Sequence, residues 1–290
     1  MRRSWLLLLL LTMLVTSLAR AAPHYQIEQM KDNVYRLTAG HYRSVFMVTD
    51  AGIFLTDPID EQAAAWLRDE LDQRFSDTPI RYVAYSHNHF DHSYGGREFA
   101  AEGVTFISHR LAREDLVRTR AETQIPDLVF DDTMSVYLGD SEVRMHYHGT
   151  NNGRGSVSMK FEPAGVLYVV DWIVLGRMPY KDLKGYDIHG MIDSTHEVLN
   201  MDFDLLVGGH ANAGTREDVE HYLGYLEALY AAVRDGMLQG KSLETLQDEI
   251  HLDAYSDLAK YEEWLPLNIE GVYRTLNESS YMDMRSDLKS

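Results

Sequence analysis

The sequence predicts an α/β fold in which two mixed β-sheets pack together and are covered by helices. Two observations support this prediction. Runs with strand character come in two groups along the chain, and segments with helical spacing accompany each group. The residues with the most distinctive chemistry stand where predicted strands end, which is where loops gather functional side chains on a rigid scaffold. The 290 residues contain no internal repeat and no Pro/Ser-rich linker, so we expect one main domain.

The first group opens with two predicted hairpins, at residues 25–38 and 45–56. The second hairpin has the turn Asp50-Ala51-Gly52 between β-branched runs, which is a strong hairpin signal. Helical spacing follows at residues 61–75. Beyond this helix we predict, in order, a buried strand at 82–85, a short helix after Gly95-Gly96, a strand at 104–107 and a helix at 111–123.

The second group consists of four predicted strands, and helices occupy most of the chain after it. The strands lie at residues 134–138, 143–148, 156–161 and 166–170. A further run at 205–207, which ends at Gly208-Gly209-His210, is predicted to be the last strand. The clearest later helix is at 216–235, within a helical C-terminal extension that we place at about residues 215–290.

The first residues have the pattern of a secretory signal peptide. Arg2 and Arg3 precede an apolar run at 5–18, and Ala19-Arg20-Ala21 offers small residues at the two positions that signal peptidase reads. The apolar run is about 14 residues long, which is too short to span a bilayer comfortably. We therefore predict cleavage after Ala21, which removes residues 1–21 and leaves a domain at 22–290. The mature protein is expected to be periplasmic or secreted, without a membrane anchor.

The composition restricts the chemistry and the partners. The chain has no cysteine, so metal ligands must come from histidine and carboxylates, and the fold must be stable without disulfides. The formal net charge is −18, and removal of a signal peptide with three arginines would make it more negative. A surface this acidic repels nucleic acid, so we expect a small-molecule substrate. The sequence does not indicate an oligomeric state.

Four potential metal ligands lie within the six residues from His87 to His92. His87 and His89 project to the same side of an extended segment, because side chains alternate along it. Asp91 and His92 follow in a tight loop. The segment can thus offer two histidines to one metal ion and an Asp–His pair to a second. Zn²⁺ readily accepts imidazole nitrogen and carboxylate oxygen, and no ordinary packing role explains so dense a cluster.

The motif H-x-H-x-D-H after a short strand resembles the signature of the metallo-β-lactamase superfamily, and the resemblance covers nearly all of the chain beyond the signal peptide. Asp57 closes a segment similar to the family's early strand and is interpreted as orienting a motif histidine or a loop amide. Asp171 matches the aspartate that bridges two metal ions, and His210 matches the final histidine ligand. The resemblance implies an αββα four-layer sandwich of two mixed β-sheets flanked by helices. The implied metal ligands are His87, His89, Asp91, His92, Asp171 and His210.

One position departs from the family pattern. The third histidine of the first metal site usually stands in a G-x-x-H-[ST]-x-G stretch, and here the flanking glycines Gly149 and Gly155 enclose Asn152 instead. An amide oxygen is a weaker zinc ligand than imidazole. His148, four residues earlier, is the alternative ligand. The resemblance therefore leaves open which of the two completes the site, and whether one or two zinc ions, or iron or manganese, bind there.

The candidate substrate-binding residues lie in two loops. One loop follows the second strand, where the family has a mobile flap. The other follows the bridging aspartate, where a cationic side chain can hold a substrate carboxylate and aromatic rings can line a pocket. These residues are His41, Tyr42, Arg177, Tyr180, Lys184 and Tyr186.

The resemblance implies an exported metal-dependent hydrolase. A metal-bound hydroxide would attack a small ester, lactone, thioester or β-lactam, and Asp91 would act as the catalytic group that orients this hydroxide and moves a proton. The cysteine ligand of many true lactamases of this fold is absent, which favours a more general hydrolase. Two alternatives stay open: a single-iron oxidoreductase similar to the sulfur dioxygenases of this fold, and a catalytically decayed metal-binding protein.

Overall fold

The computed structural model describes residues 25–288, and its strands form two sheets. The predicted signal peptide at 1–21 lies outside the described residues. Between residues 25 and 288, no helix combines the length and the apolar character needed to cross a bilayer.

The first sheet contains seven strands in the order β1-β2-β3-β4-β5-β6-β7. Neighbours from β1 to β4 are antiparallel, and neighbours from β4 to β7 are parallel. The strands are β1 (Tyr25–Lys31), β2 (Val34–Ala39), β3 (Tyr42–Thr49), β4 (Gly52–Thr56), β5 (Ile80–Ala84), β6 (Thr105–His109) and β7 (Leu128–Phe130).

The second sheet contains six strands in the order β13-β12-β11-β10-β9-β8. All neighbours are antiparallel except β11 and β12, which are parallel. The strands are β8 (Thr133–Leu138), β9 (Ser141–Tyr147), β10 (Val157–Glu162), β11 (Val166–Val169), β12 (Leu205–Gly208) and β13 (Ala213–Gly214).

Seven helices accompany the sheets in the part of the chain that the structure describes. They are α1 (Glu61–Arg74), α2 (Phe90–Ser93), α3 (Arg110–Thr119), α4 (Ile188–Leu199), α5 (Arg216–Leu238), α6 (Leu243–Glu249) and α7 (Tyr261–Ser280). Short 3₁₀ turns lie at Tyr94–Phe99, Asp253–Tyr255 and Met282–Met284.

The sheets pack face to face because their central strands bury side chains on both sides. Val45 and Met47 of β3 share a core with Met159 of β10, whereas Phe46 between them shares a core with Leu67 of α1. A third core joins the outer face of β11 and β12 to α4, α5 and α7. The resulting order of helix, sheet, sheet and helix confirms the predicted four-layer αββα sandwich.

The structure differs from the sequence prediction at three places. The helix expected after Gly95-Gly96 begins earlier, at Phe90 inside the histidine motif, and the two glycines lie in the 3₁₀ turn that follows. The helix predicted to end at residue 123 ends at Thr119, because Arg120 takes a left-handed conformation. The short strands β7 and β13 were not predicted, so 205–207 is not in the last strand.

The region predicted as a helical extension contains α5, α6 and α7. Side chains of these helices lie in the same buried core as Trp172 and Leu206 of the second sheet region. The helices therefore form the outer layer on that side and help to hold the segment that follows β11.

Candidate metal centre

Three strand ends meet at one edge of the sandwich, and each supplies residues of the expected ligand set. This set, called the cluster below, comprises His87, His89, Asp91, His92, Asp171 and His210. His87 comes shortly after β5 of the first sheet, while Asp171 and His210 follow β11 and β12 of the second sheet. Because α2 starts directly after His89, Asp91 lies in its first turn. The cluster is therefore built from both sheets, as the sequence pattern of polar residues at strand ends predicts.

The two carboxylate oxygens of Asp171 face different histidines. Oδ2 lies 3.3 Å from Nε2 of His87 and 3.6 Å from Nδ1 of His89. Oδ1 lies 3.4 Å from Nε2 of His92 and 3.0 Å from Nε2 of His210. The backbone of Asp171 has a φ of +70°, a left-handed conformation in which aspartate is several-fold enriched over most residues. Asp171 thus stands between two halves of the cluster.

Asp91, His92 and His210 make up one of these halves. Nε2 of His92 and Nε2 of His210 are 3.0 Å apart. Oδ2 of Asp91 lies 3.5 Å from Nε2 of His210 and 3.9 Å from Nε2 of His92. The His92 side chain is fully buried, whereas 18% of the Asp91 side chain is exposed. Asp91 and His210, whose side chains are 18% and 15% exposed, are therefore the members of this half that an incoming water or substrate can reach.

The donor atoms of the cluster fit one or two metal ions. Nε2 of His87 and Oδ1 of Asp171 are buried and have no hydrogen-bond partner among the described residues, although Oδ1 is close to His210. Buried polar atoms without a partner require an explanation, and a bound metal ion is one that imidazole nitrogen and carboxylate oxygen suit. Two groups of ligand atoms have all members within 4.8 Å of one another: His87, His92 and Asp171, and Asp91, His92 and His210.

Burial and neighbouring charges set the protonation of the cluster. Burial, assisted by His89, lowers the pKa of His87 to about 4, so this ring is neutral near pH 7, as a metal ligand must be. Burial also acts to lower the pKa of His92, but Asp171 and Asp57 outweigh it and hold this pKa well above its usual value. Burial opposes ionisation of Asp171, yet His92 and the other nearby histidines keep the pKa of this carboxyl well below the usual range.

Asp57 supports the cluster from behind. Its Oδ1 accepts a 2.7 Å hydrogen bond from the Ser86 amide, and its Oδ2 accepts from the hydroxyls of Ser86 at 2.6 Å and Tyr168 at 3.0 Å. The same Oδ2 lies 3.4 Å from Nδ1 of His92. Burial and Asp57 raise the pKa of Tyr168 well above its usual value, so its hydroxyl stays a donor. Asp57 therefore contacts both a loop amide and a motif histidine.

The hydroxyl of Ser86 also determines the tautomer of His87. Because this hydroxyl donates to Asp57, its oxygen is left to accept from Nδ1–H of His87, which lies 2.9 Å away. The free lone pair of the ring is then on Nε2, the atom that faces Asp171. Such support behind a histidine ligand fixes both its orientation and the nitrogen that it offers.

Asn152 reaches the cluster on the side of His87 and His89. Its Nδ2 donates a 2.8 Å hydrogen bond to Oδ2 of Asp171, and the residue is 1% exposed. Its Oδ1 is buried and has no hydrogen-bond partner among the described residues. The amide nitrogen of Asn152 is thus the atom that faces the cluster, and the amide oxygen is left without a partner among the described residues.

The alternative third ligand, His148, has its hydrogen-bond partners outside this cluster. Its Nδ1 lies 2.9 Å from Oε2 of Glu197 on α4, and its Nε2 lies 2.7 Å from the hydroxyl of Ser158. The side chain is directed to the outer face of the second sheet, against α4, and the loop does not fold it back. Burial lowers the pKa of His148 to about 4, although Glu197 acts in the opposite direction.

The candidate substrate residues are distributed unevenly around the cluster. The ring of Tyr42 packs edge-on against His210 with 5.4 Å between centroids. Phe90, in the motif itself, and Tyr180 present exposed rings, with 64% and 48% of each residue accessible. His41 and Lys184 are exposed and, within residues 25–288, form no hydrogen bond or ion pair with the cluster. Phe90 was missed in the sequence because it stands between ligands and has no polar group.

Arg177 and Tyr186 form an inner wall of the same region. Burial and the negative field of Asp171 raise the pKa of Tyr186 well above its usual value, and Arg177 opposes this shift. The guanidinium of Arg177 stacks over Trp264 at 5.3 Å, and its buried Nε has no hydrogen-bond partner in the described part of the chain. The guanidinium places a positive charge at this wall, which suits an anionic group of a ligand.

The sandwich and the histidine–carboxylate cluster at its edge define a metal-site protein of the αββα class. Residues 38–210 match the family model described as the metallo-beta-lactamase superfamily, and the chain belongs to that superfamily.

Comparison with individual proteins gives more distant likenesses. Subunit alpha of 2,4-dinitroanisole O-demethylase from Nocardioides sp. (strain JS1661) is 24% identical over 229 residues, which cover 78% of this chain and 70% of the relative. A metallo-beta-lactamase from Pontibacter korlensis matches with a TM-score of 0.63 at 14% identity, over 70% of this chain and 99% of the other. A double mutant of a sec-alkyl sulfatase matches with a TM-score of 0.75 at 16% identity, over 86% of this chain and half of the sulfatase.

Proposed function

We propose that the protein is an exported, zinc-dependent hydrolase that cleaves a small ester, lactone, thioester or β-lactam with water. The observation that carries this proposal is the position of Asp171, whose two oxygens face the His87 half and the His210 half of one cluster. Metal ions held by these residues would supply an activated water and a Lewis acid for the substrate oxygen. The ligands are imidazole nitrogens and carboxylate oxygens without any thiolate, and these donors suit zinc, with iron or manganese as alternatives.

Three aspartates have separate roles in the proposed reaction. Asp91 is partly exposed beside two histidines, so its carboxylate can accept a proton from the attacking water and pass it to the leaving group. In that hydrolysis, the water oxygen bonds to the carbonyl carbon and the bond to the leaving group breaks. Asp171 contacts both halves of the cluster and fixes their relative position. Asp57 contacts Nδ1 of His92 and fixes the orientation of that ring.

The surroundings of the cluster favour a substrate with an apolar body and an anionic group. Tyr42, Phe90 and Tyr180 present aromatic surface near the cluster. Arg177 is half-buried and places a guanidinium charge on the inner wall. Aromatic rings supply apolar contact area, and the guanidinium fixes the orientation of a carboxylate, sulfate or nitro group.

A second candidate reaction is hydrolysis of an activated ether or of a sulfate ester. The curated relative is an O-demethylase subunit, and one similar fold is an alkyl sulfatase. The aromatic rim of Tyr42 and Phe90 supports an aryl or alkyl substituent in this candidate as well. Hydrolysis of an aryl methyl ether consumes one water and gives a phenol and methanol, so no oxidant is required.

Metal analysis and a substrate panel test the proposal. The panel contains an ester, a lactone, a thioester, a β-lactam, an alkyl sulfate and a nitroaryl methyl ether. We expect Asp91→Ala and His92→Ala to lose at least about 100-fold in activity, the lower range for a positioned acid or base. The matched control is Asp69→Ala, which removes an exposed carboxylate on α1. Unchanged activity and metal content in both cluster variants would refute the proposal.

The metal content also separates the rival functions. One or two zinc ions with turnover on the panel supports hydrolysis. A single iron with oxygen-dependent turnover of a sulfur substrate supports the oxidoreductase alternative. A protein that turns over none of the substrates, with or without bound metal, supports the alternative of a catalytically decayed metal-binding protein.

Export is part of the proposal and has its own test. The apolar run at residues 5–18 and the small residues Ala19 and Ala21 support a cleaved signal peptide. The full chain, expressed with its N-terminus intact, is expected in the periplasm or medium with a new N-terminus at residue 22. Retention of the intact N-terminus in the cytoplasmic fraction would contradict export and leave the hydrolase proposal unaffected.

A further inference from the structure

A second group of metal-ligand side chains lies away from the cluster, on the outer side of the second sheet. His146 is near the end of β9, His148 follows that strand, and Glu197 is in the last turns of α4. Each offers one ligand atom, and these three atoms lie within 4.8 Å of one another. The group shares no residue with the candidate metal centre. Its members come from a strand and from the helix that covers it.

The alternation of β9 explains why the two histidines meet. Met145 lies in the core between the sheets, so His146 must project to the opposite, outer face. His148 is two residues further along and takes the same side, and the two ring centroids are 4.4 Å apart. The helix α4 packs on this face and brings Glu197 to within 2.9 Å of Nδ1 of His148.

The contacts of His148 resemble those of a histidine held ready as a ligand. Without metal, the Glu197 carboxylate can only accept, so Nδ1–H donates to its Oε2, and Nε2 accepts from the Ser158 hydroxyl on β10 at 2.7 Å. A metal ion at Nδ1 would replace that proton, and the serine oxygen can then accept Nε2–H instead. Hydrogen bonding at the far nitrogen is what orients most metal-binding histidines in proteins.

Burial and exposure in the group are complementary. Only 1% of the His148 side chain is exposed, whereas 55% of the Glu197 side chain is exposed. A cation can therefore enter from the solvent side, where the flexible glutamate adjusts to it. The buried imidazole provides the fixed point of the site.

We propose that His146, His148 and Glu197 form a separate zinc site that fastens α4 to β9. Two imidazoles and one carboxylate, with water in the fourth position, are a ligand set of zinc sites that keep one position open. Calcium and magnesium are disfavoured because they require oxygen ligands. The site is independent of the proposed hydrolase function.

The location of the site gives it a structural consequence. The hydroxyl of Ser194 on α4 donates to the His148 carbonyl at 3.0 Å and accepts from Nδ2 of Asn151 at 3.1 Å. Asn151 precedes Asn152, which contacts the bridging Asp171. Zinc between α4 and β9 therefore stabilises the base of the loop that delivers Asn152 to the metal centre.

Zinc stoichiometry of the full mature protein tests the proposal. Glu197→Gln and His146→Ala each remove a ligand at a partly exposed position, so folding is expected to survive and is checked by circular dichroism. His196→Ala is the matched control, because this neighbouring histidine on α4 pairs with Glu227 instead. The measurements are bound zinc after removal of excess metal, and the rise in Tm on adding zinc to chelator-treated protein.

We expect the wild type and His196→Ala to bind one zinc equivalent more than Glu197→Gln and His146→Ala, and to gain more in Tm on adding zinc. In a background of Asp91→Ala and His210→Ala, which removes ligands of the other centre, adding Glu197→Gln is expected to lower the zinc content by the same one equivalent, so the two proposals can fail separately. Zinc content and a rise in Tm equal to those of the wild type in both Glu197→Gln and His146→Ala would overturn the proposal. The His148–Glu197 contact would then be an ordinary hydrogen bond.

Discussion

Oδ2 of Asp57 lies 3.4 Å from Nδ1 of His92, while Nε2 of the same ring faces His210 across the cluster. The imidazole is thus held on one side by a carboxylate of the first sheet and presents its other nitrogen to residues of the second. Asp57 itself is fully buried and accepts hydrogen bonds from Ser86 and Tyr168. The carboxylate is therefore in a position to tune the metal centre without touching a metal.

Replacing Asp57 with asparagine tests this arrangement. The amide of Asp57→Asn has one acceptor oxygen instead of two, so it cannot satisfy Ser86, Tyr168 and His92 together. Loss of such support behind a histidine ligand typically lowers metal affinity about 10–100-fold. Competition with a chelating dye measures the zinc affinity. Asp60→Asn is the matched control, because asparagine caps a helix as well as aspartate and Asp60 caps α1.

The sequence was informative about the metal centre where its ligands are adjacent in the chain. His87 to His92 stand within six residues, so their spacing alone indicates a metal site. Asp171 and His210 come from distant strand ends, and only the family resemblance singled them out. The supporting role of Ser86 could not be predicted, because it depends on the direction of one hydroxyl between Asp57 and His87.

The sequence was least informative where helices cover a sheet. The position of His148, only four residues from Asn152, suggests in the sequence a ligand of the main centre. Its actual direction follows from the outer face of β9 and from the position of α4, whose Glu197 is 49 positions away. The short strands β7 and β13, of three and two residues, were missed because they are too short to show alternation.

Asn152→Asp is expected to affect the metal-free and zinc-bound proteins in opposite directions. The substitution preserves shape but removes the donor that bonds to Oδ2 of Asp171 at 2.8 Å, and it places a second carboxylate there. Without metal, the repulsion and the lost hydrogen bond lower Tm. With zinc, the added carboxylate is a better ligand than an amide, so the zinc-dependent rise in Tm increases. Thermal melts with chelator and with zinc measure both effects, and an unchanged rise would show that Asn152 does not face a metal.

The pH dependence of stability has a testable contribution from His109. Burial lowers the pKa of His109, whose Nδ1 accepts from the Leu111 amide at 3.3 Å and whose Nε2 contacts the Asp131 carbonyl at 2.7 Å. The folded state therefore favours the neutral ring. Its contribution is complete above the unfolded pKa, about 6.5, and is lost as the pH falls below that value.

His109→Gln isolates this contribution because glutamine has a donor and an acceptor but does not titrate. The variant is expected to be about 1 kcal/mol less stable than the wild type near pH 8, through a weaker cap of α3. The difference should shrink as the pH falls to about 5, because only the wild type then loses the contribution of a neutral His109. Urea unfolding at several pH values measures the difference, and a gap that stays constant with pH would contradict the assignment.

Gly209→Ala is expected to damage the half of the metal centre that contains His92 and His210. A Cβ at Gly209 would lie 2.6 Å from Cγ1 of Val170 and 3.0 Å from Cε1 of His92, closer than side chains tolerate. Val170 precedes the bridging Asp171 and is itself fully buried, so the strain is relieved by moving His92 or the aspartate. We expect a loss of zinc from this half and a fall in activity of about 100-fold, as a displacement of about 1 Å can produce.

The neighbouring Gly208→Ala provides the control. Both substitutions add the same methyl group, and only the atoms around the two glycines differ. A Cβ at Gly208 would meet its nearest atom, the Ile173 carbonyl oxygen, at 3.6 Å, which is ordinary contact. Zinc content, activity and Tm of Gly208→Ala should therefore remain near those of the wild type. Equal losses in both variants would mean that the end of β12 tolerates no side chain at all. A loss confined to Gly209→Ala would show that the close approach of this backbone to His92 is what shapes the centre.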